Sequence, residues 1–134
     1  MAALTGTGAG PVNIFPATCG AASLVGKEYH LVTIGAADRD IIVSAATSVL
    51  GLGVLCTAGA VGAPVTYYGP GSICPVKCGG TATRGVRAMS DAGDPGKAID
   101  ATGNVETFGT FLESGIDGDL VRFQVNPLPA GTEE

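Results

Sequence analysis

The side chains best suited to metal binding or nucleophilic chemistry are four cysteines, Cys19, Cys56, Cys74 and Cys78, and one histidine, His30. A zinc site with two histidines is excluded by composition, and a four-thiolate site typically uses tight C-x-x-C pairs that the chain lacks. The closest pair is Cys74-Pro75-Val76-Lys77-Cys78. In an extended segment those sulfurs share a face but lie ~13 Å apart at ~3.3 Å per residue, too far for one metal; a turn at Pro75 would restore the geometry. Four cysteines permit three disulfide pairings, and no export signal is present, so reduced, mostly buried thiols are expected. His30 lies between Tyr29 and Leu31 in a strand-like run, which favours a packed imidazole over a catalytic one. No Gly-x-Ser-x-Gly elbow accompanies it. Asp117-Gly118-Asp119 resembles a fragment of a cation loop but lacks the further oxygen ligands, and it reads as a turn. Gly6-Thr7-Gly8-Ala9-Gly10 and Gly51-Leu52-Gly53 have no following Lys-Ser/Thr and no Rossmann unit around them. No catalytic residue, cofactor or metal is expected, and the chain reads as a non-enzyme.

The elements that carry these residues follow from composition. The chain has 134 residues, one domain's worth, with 22 glycines, 8 prolines and no tryptophan. Only 14% of residues are charged, and acids outnumber bases 12 to 7 for a net charge of -5. Few, scattered basic residues give no nucleic-acid footprint, and a long helical bundle would not carry this much glycine. From Ile41 to Val76 there is no Asp, Glu, Lys or Arg. Ser, Thr and Gly interrupt that stretch and no Lys/Arg cluster flanks it, so it does not read as a membrane span. Nor does a charged n-region open a signal peptide.

Sliding the chain over itself by 56 residues aligns Gly53 to Tyr67 with Gly109 to Phe123 without a gap. Glycines coincide at 53/109, 59/115 and 62/118, Val65 meets Val121 and Tyr67 meets Phe123. Each copy reads strand, glycine-marked turn, strand. The second copy carries Glu106, Glu113, Asp117 and Asp119 where the first is uncharged, so the charge-free stretch reads as a protein-covered β-unit and the acids as an exposed face. Period-2 alternation is clearest in Leu120 to Val125, where Val121, Phe123 and Val125 share one side. Val65 to Tyr68 alternates likewise. Tyr29 to Ile34, Gly85 to Met89, Lys97 to Ala101 and Val105 to Leu112 complete the set, while Ser72 to Cys78 reads as an edge strand because Pro75 has no N–H to donate. Ala36 to Ala46 could hold a short helical turn. The expectation is an all-β chain, a small β-barrel or tulip-like domain with an internal duplication. An N-terminal arm spans residues 1–23, the β-domain 24–126 with related units at about 29–69 and 85–125, and a tail 127–134. Val12, Asn13, Ile14 and Phe15 form an extended apolar motif that could add a strand to a neighbour, so deleting residues 1–16 should spare folding. Uncharged surface around Tyr67, Tyr68 and Ile73 suits an oligomer interface.

Gly80-Thr81-Ala82-Thr83-Arg84-Gly85-Val86-Arg87-Ala88-Met89-Ser90-Asp91 is followed by Gly96-Lys97-Ala98-Ile99-Asp100-Ala101, by Val105 to Gly115, and by Gly118-Asp119-Leu120-Val121-Arg122-Phe123-Gln124-Val125. This cadence resembles the capsid decoration (cement) proteins of tailed bacteriophages over roughly residues 24 to 126. In the first copy, Val49 to Tyr67, the cadence is weaker, with Ala63-Pro64 in place of Gly-Asp. The resemblance implies a small β-barrel, often a homotrimer, made in the bacterial host cytoplasm. It would sit on the outer surface of the virion capsid and staple neighbouring major capsid protein subunits. Its partners would be the major capsid protein and itself, with no nucleic acid, no membrane and no cofactor. It carries no catalytic residue. Two rival readings are a non-enzymatic β binding module of a phage tail or secreted protein, and a metalloprotein built on the cysteines. Glycan stacking is disfavoured by the absence of Trp and the scarcity of Tyr.

Overall fold

A computed structural model describes residues 12–44, 51–102 and 105–128. Among them are ten strands and no helix. The first five are β1 (Ile14–Cys19), β2 (Leu31–Ile34), β3 (Asp40–Val43), β4 (Gly51–Thr57) and β5 (Pro64–Tyr68). They close into a barrel in the order β1-β3-β2-β4-β5, with β1 antiparallel to β5 and parallel to β3. The next five are β6 (Ile73–Lys77), β7 (Arg87–Ser90), β8 (Ala98–Asp100), β9 (Thr107–Phe111) and β10 (Leu120–Leu128). They form a second sheet ordered β6-β10-β9-β7-β8, whose outer strands meet beyond β6 at one parallel bridge, Cys78 to Ala98.

The two sheets repeat one hydrogen-bonding scheme. Tyr29 N–H donates to Leu55 O and Leu55 N–H to His30 O; in the second sheet Gly85 N–H donates to Phe111 O and Phe111 N–H to Val86 O. Gly62 N–H donates to Cys19 O as Gly118 N–H does to Cys78 O. The glycines that coincide at positions 53 and 109 have a shared steric cause. A Cβ on Gly53 would stand 1.8 Å from the Tyr68 carbonyl oxygen, and one on Gly109 2.0 Å from that of Gln124. Neither backbone can approach its partner strand with a side chain in the way. Of the two non-glycine residues with positive φ, Tyr29 (φ 66) stands where the second unit has Gly85 (φ 87); Arg39 (φ 69) matches Gly96 (φ 89) after a one-residue shift in the turn, where Asp40 N–H donates to Ala37 O as Lys97 N–H does to Asp94 O.

Alternation sets what is buried. In β10, Val121, Phe123 and Val125 point inward while Arg122 and Gln124 stay exposed. Phe111 and Phe123 meet edge-on with ring centroids 5.7 Å apart. Ala17, Cys19, Leu24, Val32, Ile41, Leu55 and Val65 fill the first barrel. The core of the second sheet also takes in Leu31 and Val54 of the first barrel, with Tyr29 and Tyr68 packed beside them. One half therefore completes the core of the other, and each such large apolar side chain contributes about 1.5–3 kcal/mol on burial.

Three expectations change. The arm drawn to residue 23 is shorter, because Ile14–Cys19 is a barrel strand whose alternation buries Ala17 and Cys19. Cutting at residue 16 would remove half of a strand paired to β5. The tail is shorter too, since β10 runs to Leu128. Residues 36–44 form a turn and β3, without a helical turn. Pro75 does sit on an outer strand, as its missing N–H requires. Residues 1–11 of the arm and 129–134 of the tail lie outside the described residues.

Candidate functional site

The cysteines and the histidine are structural in position. All four thiols are free; Cys19, Cys74 and Cys78 are buried and Cys56 is half-buried. Burial pushes the Cys74 thiol up to about 12 and Cys78 to about 11, so both stay protonated near neutrality. Cys56 occupies the irregularity between β4 and β5, and the Tyr68 hydroxyl has its pKa raised by burial first and by the Cys56 thiol second. His30 is buried, and burial lowers its pKa; its Nδ1 lies 3.2 Å from the Glu28 carbonyl. Among the described residues no three His, Cys, Asp or Glu side chains group as metal ligands, and no helix is long and apolar enough to cross a membrane.

The residues expected to make contacts with neighbours converge on the β1–β5 pair. Ile14 lies opposite Tyr68 and Phe15 opposite Tyr67, and the Phe15 and Tyr67 rings are 5.7 Å apart. Val12, Ile14 and Phe15 keep exposed side chains. Their backbone is held within the chain: Asn13 N–H donates to Ser72 Oγ at 2.7 Å, and Gly69 N–H donates to Asn13 O at 2.8 Å. Tyr67 is half-buried against the first core, and Tyr68 packs at the junction of the two sheets. Ile73 is half-buried on β6, opposite Gln124 and apart from that group.

Beside Phe15 and Tyr67 the first barrel opens into a cleft of about 480 Å³. β1 pairs with β3 only at Thr18 and Cys19. Earlier along β1, Pro16 has no N–H to extend that ladder, and the turn Gly35 to Arg39 swings aside. Pro16, Ile34, Arg39, Leu52 and Tyr67 line the opening, and Ile34 is 45% exposed. Sequence reasoning missed Ile34, Leu52 and Arg39. The available signal was a second repeat, at an offset of 59: Pro11-Val12-Asn13-Ile14-Phe15-Pro16-Ala17-Thr18-Cys19-Gly20 against Pro70-Gly71-Ser72-Ile73-Cys74-Pro75-Val76-Lys77-Cys78-Gly79. It sets Pro16 on Pro75, the same N–H-less position in each first strand.

The acidic group divides. Glu113, Asp117 and Asp119 are exposed as expected. Glu106 is not: it is 4% exposed, neither carboxyl oxygen has a hydrogen-bond partner, and burial alone pushes its pKa up to about 7. Its counterpart in the first copy is Leu50, so the acid occupies a position that is apolar in the repeat.

The class these observations define is an all-β chain of one closed barrel and one five-stranded sheet, with an exposed apolar corner. No family model and no curated protein matches the sequence. Among solved structures, the chain is similar to the N base of head fiber gp8.5 in bacteriophage phi29. The two share 19% identity at a TM-score of 0.62, over 87% of this chain and 95% of that one. The chain has the fold of a phage head-fiber base, in line with the all-β phage-protein resemblance of its sequence.

Proposed function

We propose that this chain is a structural protein of a bacteriophage virion. It binds the outer surface of the expanded capsid and stabilises the head by clamping neighbouring major capsid protein subunits, as a homotrimer and without catalysis. The observation that carries this reading is the fold shared with a phage head-fiber base along nearly the whole of both chains. Fold alone does not dictate function; the cadence of Gly80 to Val125, which resembles capsid decoration proteins, points to the same setting. The chemistry agrees. Low charge and the exposed Val12, Ile14, Phe15 and Ile34 leave apolar surface for protein neighbours, and the buried thiols and His30 take core positions. Synthesis in the host cytoplasm, where thiols stay reduced, suits four free cysteines.

The test is co-sedimentation of the purified chain with expanded heads that lack it, alongside unexpanded heads. Saturable binding to the expanded form is expected. Failure to bind either form would favour a β binding module of a tail or secreted protein.

A further inference from the structure

The two halves meet along a seam held by a few hydrogen bonds. Leu31 N–H donates to Gly96 O at 2.6 Å and Lys77 N–H to Tyr29 O at 2.9 Å, while Ser90 Oγ–H donates to Ser44 O at 2.9 Å. Leu31 and Val54 cross the seam into the core of the second sheet, beside Tyr29 and Tyr68. His30 stands within it. Its side chain is 5% exposed, and a turn of the second half rests on it: a Cβ on Gly96 would lie 3.1 Å from His30 Cδ2 and 2.6 Å from Val43 Cγ1. The imidazole Nδ1 lies 3.2 Å from the Glu28 carbonyl oxygen. A carbonyl only accepts, so Nδ1 holds the proton of the neutral ring, and acid adds the second one at Nε2.

The surroundings do not welcome that second proton. Lys27 acts on the ring from the first half, and Asp94 and Lys97 act on it from the turn of the second. Val43 of β3 and Leu55 of β4 bring no charge, and Lys77 of β6 is bonded through its N–H to the adjacent Tyr29. Among the described residues that act on the ring Asp94 is the acid, and its Oδ2 is already held by Lys97 Nζ at 2.7 Å. Burial first, with Lys27 and Lys97 after it, pushes the His30 pKa below its ordinary value; the Glu28 carbonyl and Asp94 oppose them without prevailing. We propose that the seam is an acid-sensitive latch: protonation of His30 lifts the Gly96 turn and parts the second half from the first barrel, while each half keeps its own sheet. The folded pKa lies below the unfolded value of about 6.5, so closure is fully supported above that pH and loses support as pH falls through the folded value. Opening is a partial unfolding confined to one interface, and it bares Leu31, Val54, Tyr29 and Tyr68. It does not depend on the capsid reading.

The test is amide hydrogen exchange by NMR on the full chain at pH 7 and pH 5, read as protection factors so that the intrinsic pH dependence of exchange drops out. Leu31 and Lys77 report the seam; Gly20, bonded to Ile41 O, reports the first barrel, and Val125, bonded to Ser72 O, the second sheet. From pH 7 to pH 5, protection should fall at Leu31 and Lys77 and hold at Gly20 and Val125. Glu106 takes up its proton over the same interval, which strengthens the fold and cannot mimic the loss. Two variants fix the cause. His30→Gln keeps a donor for the Glu28 carbonyl and carries no ionisable ring, so its seam should stay protected at pH 5. Lys97→Gln leaves the buried ring in place and frees Asp94 to pair with the imidazolium; it should hold the seam at pH 5 as well, and it serves alone if His30→Gln does not fold. Equal losses at all four amides, or a seam loss that persists in the variants, would overturn the latch. So would seam amides that stay fully protected in the parent at pH 5.

Discussion

Replacing Glu106 should change how stability depends on pH. The side chain is 4% exposed, both oxygens lack partners, and burial alone raises its pKa to about 7, against about 4.3 for glutamate in an unfolded chain. At full strength that gap is worth roughly 3–4 kcal/mol. Protein interiors relax around a buried charge, and about 1–3 kcal/mol is the discounted figure. The folded value lies above the unfolded one, so the protonated acid favours the fold. That stability is fully present below about pH 4, is lost as pH rises through 7, and is gone above about pH 8. Glu106→Gln and Glu106→Leu cannot ionise, and the latter restores the residue found at the matching position of the first copy. Calorimetric melting at pH 5 and pH 8 compares the three proteins. Between those pH values each variant should gain about 1–3 kcal/mol on the parent, roughly 3–10 °C in Tm for a domain of this size. Asp94, held below the usual carboxylate range by its hydrogen bond to Lys97, acts in the opposite sense but equally in all three. Melting curves that shift in parallel with pH would refute the reasoning.

Other outcomes follow from the packing. Gly53→Ala should cost about 3 kcal/mol because the new Cβ meets the Tyr68 carbonyl oxygen at 1.8 Å. Gly62→Ala, with a φ of +84° and nothing within 4 Å, should cost only about 1–2 kcal/mol; urea melts separate the two, and equal losses would contradict the steric account. Phe123→Ala removes a fully buried ring packed edge-on against Phe111 and should cost about 3–5 kcal/mol; a loss under 1 kcal/mol would mean that the two rings do not anchor the second core. With a thiol-specific disulfide reagent at pH 8, one fast equivalent is expected from half-buried Cys56 and should vanish in Cys56→Ser. Cys74 and Cys78, pushed up to about 12 and about 11 by burial, should wait for unfolding, and two or more fast equivalents would be inconsistent with this.

Much of the fold was legible because its constraints are local and repeated. Gly53 and Gly109 coincide in sequence since both strands must approach a partner carbonyl, and the alternation of Val121, Phe123 and Val125 reports a one-sided core directly. The first strand was misread for a physical reason. The connection from Cys19 to β2 is three residues longer than that from Cys78 to β7, so a gapless slide that aligns the later strands hides the Pro-x-x-Cys-Gly pair of β1 and β6. Residues 14–19, severed from their counterpart, then read as an arm. Glu106 was misplaced because charge was taken as exposure, although its match to Leu50 was already visible. The cleft was not legible at all: it depends on where the β1–β3 ladder stops at Pro16 and on the course of the turn from Gly35 to Arg39.

The central claim is that this chain reinforces a phage head from outside. Heating expanded, DNA-filled heads that lack it, with and without saturating purified protein, and following DNA release with an external dye tests that claim most directly. Saturable binding and a higher rupture temperature are the predicted result. Heads that bind none of the protein and rupture at an unchanged temperature would contradict it.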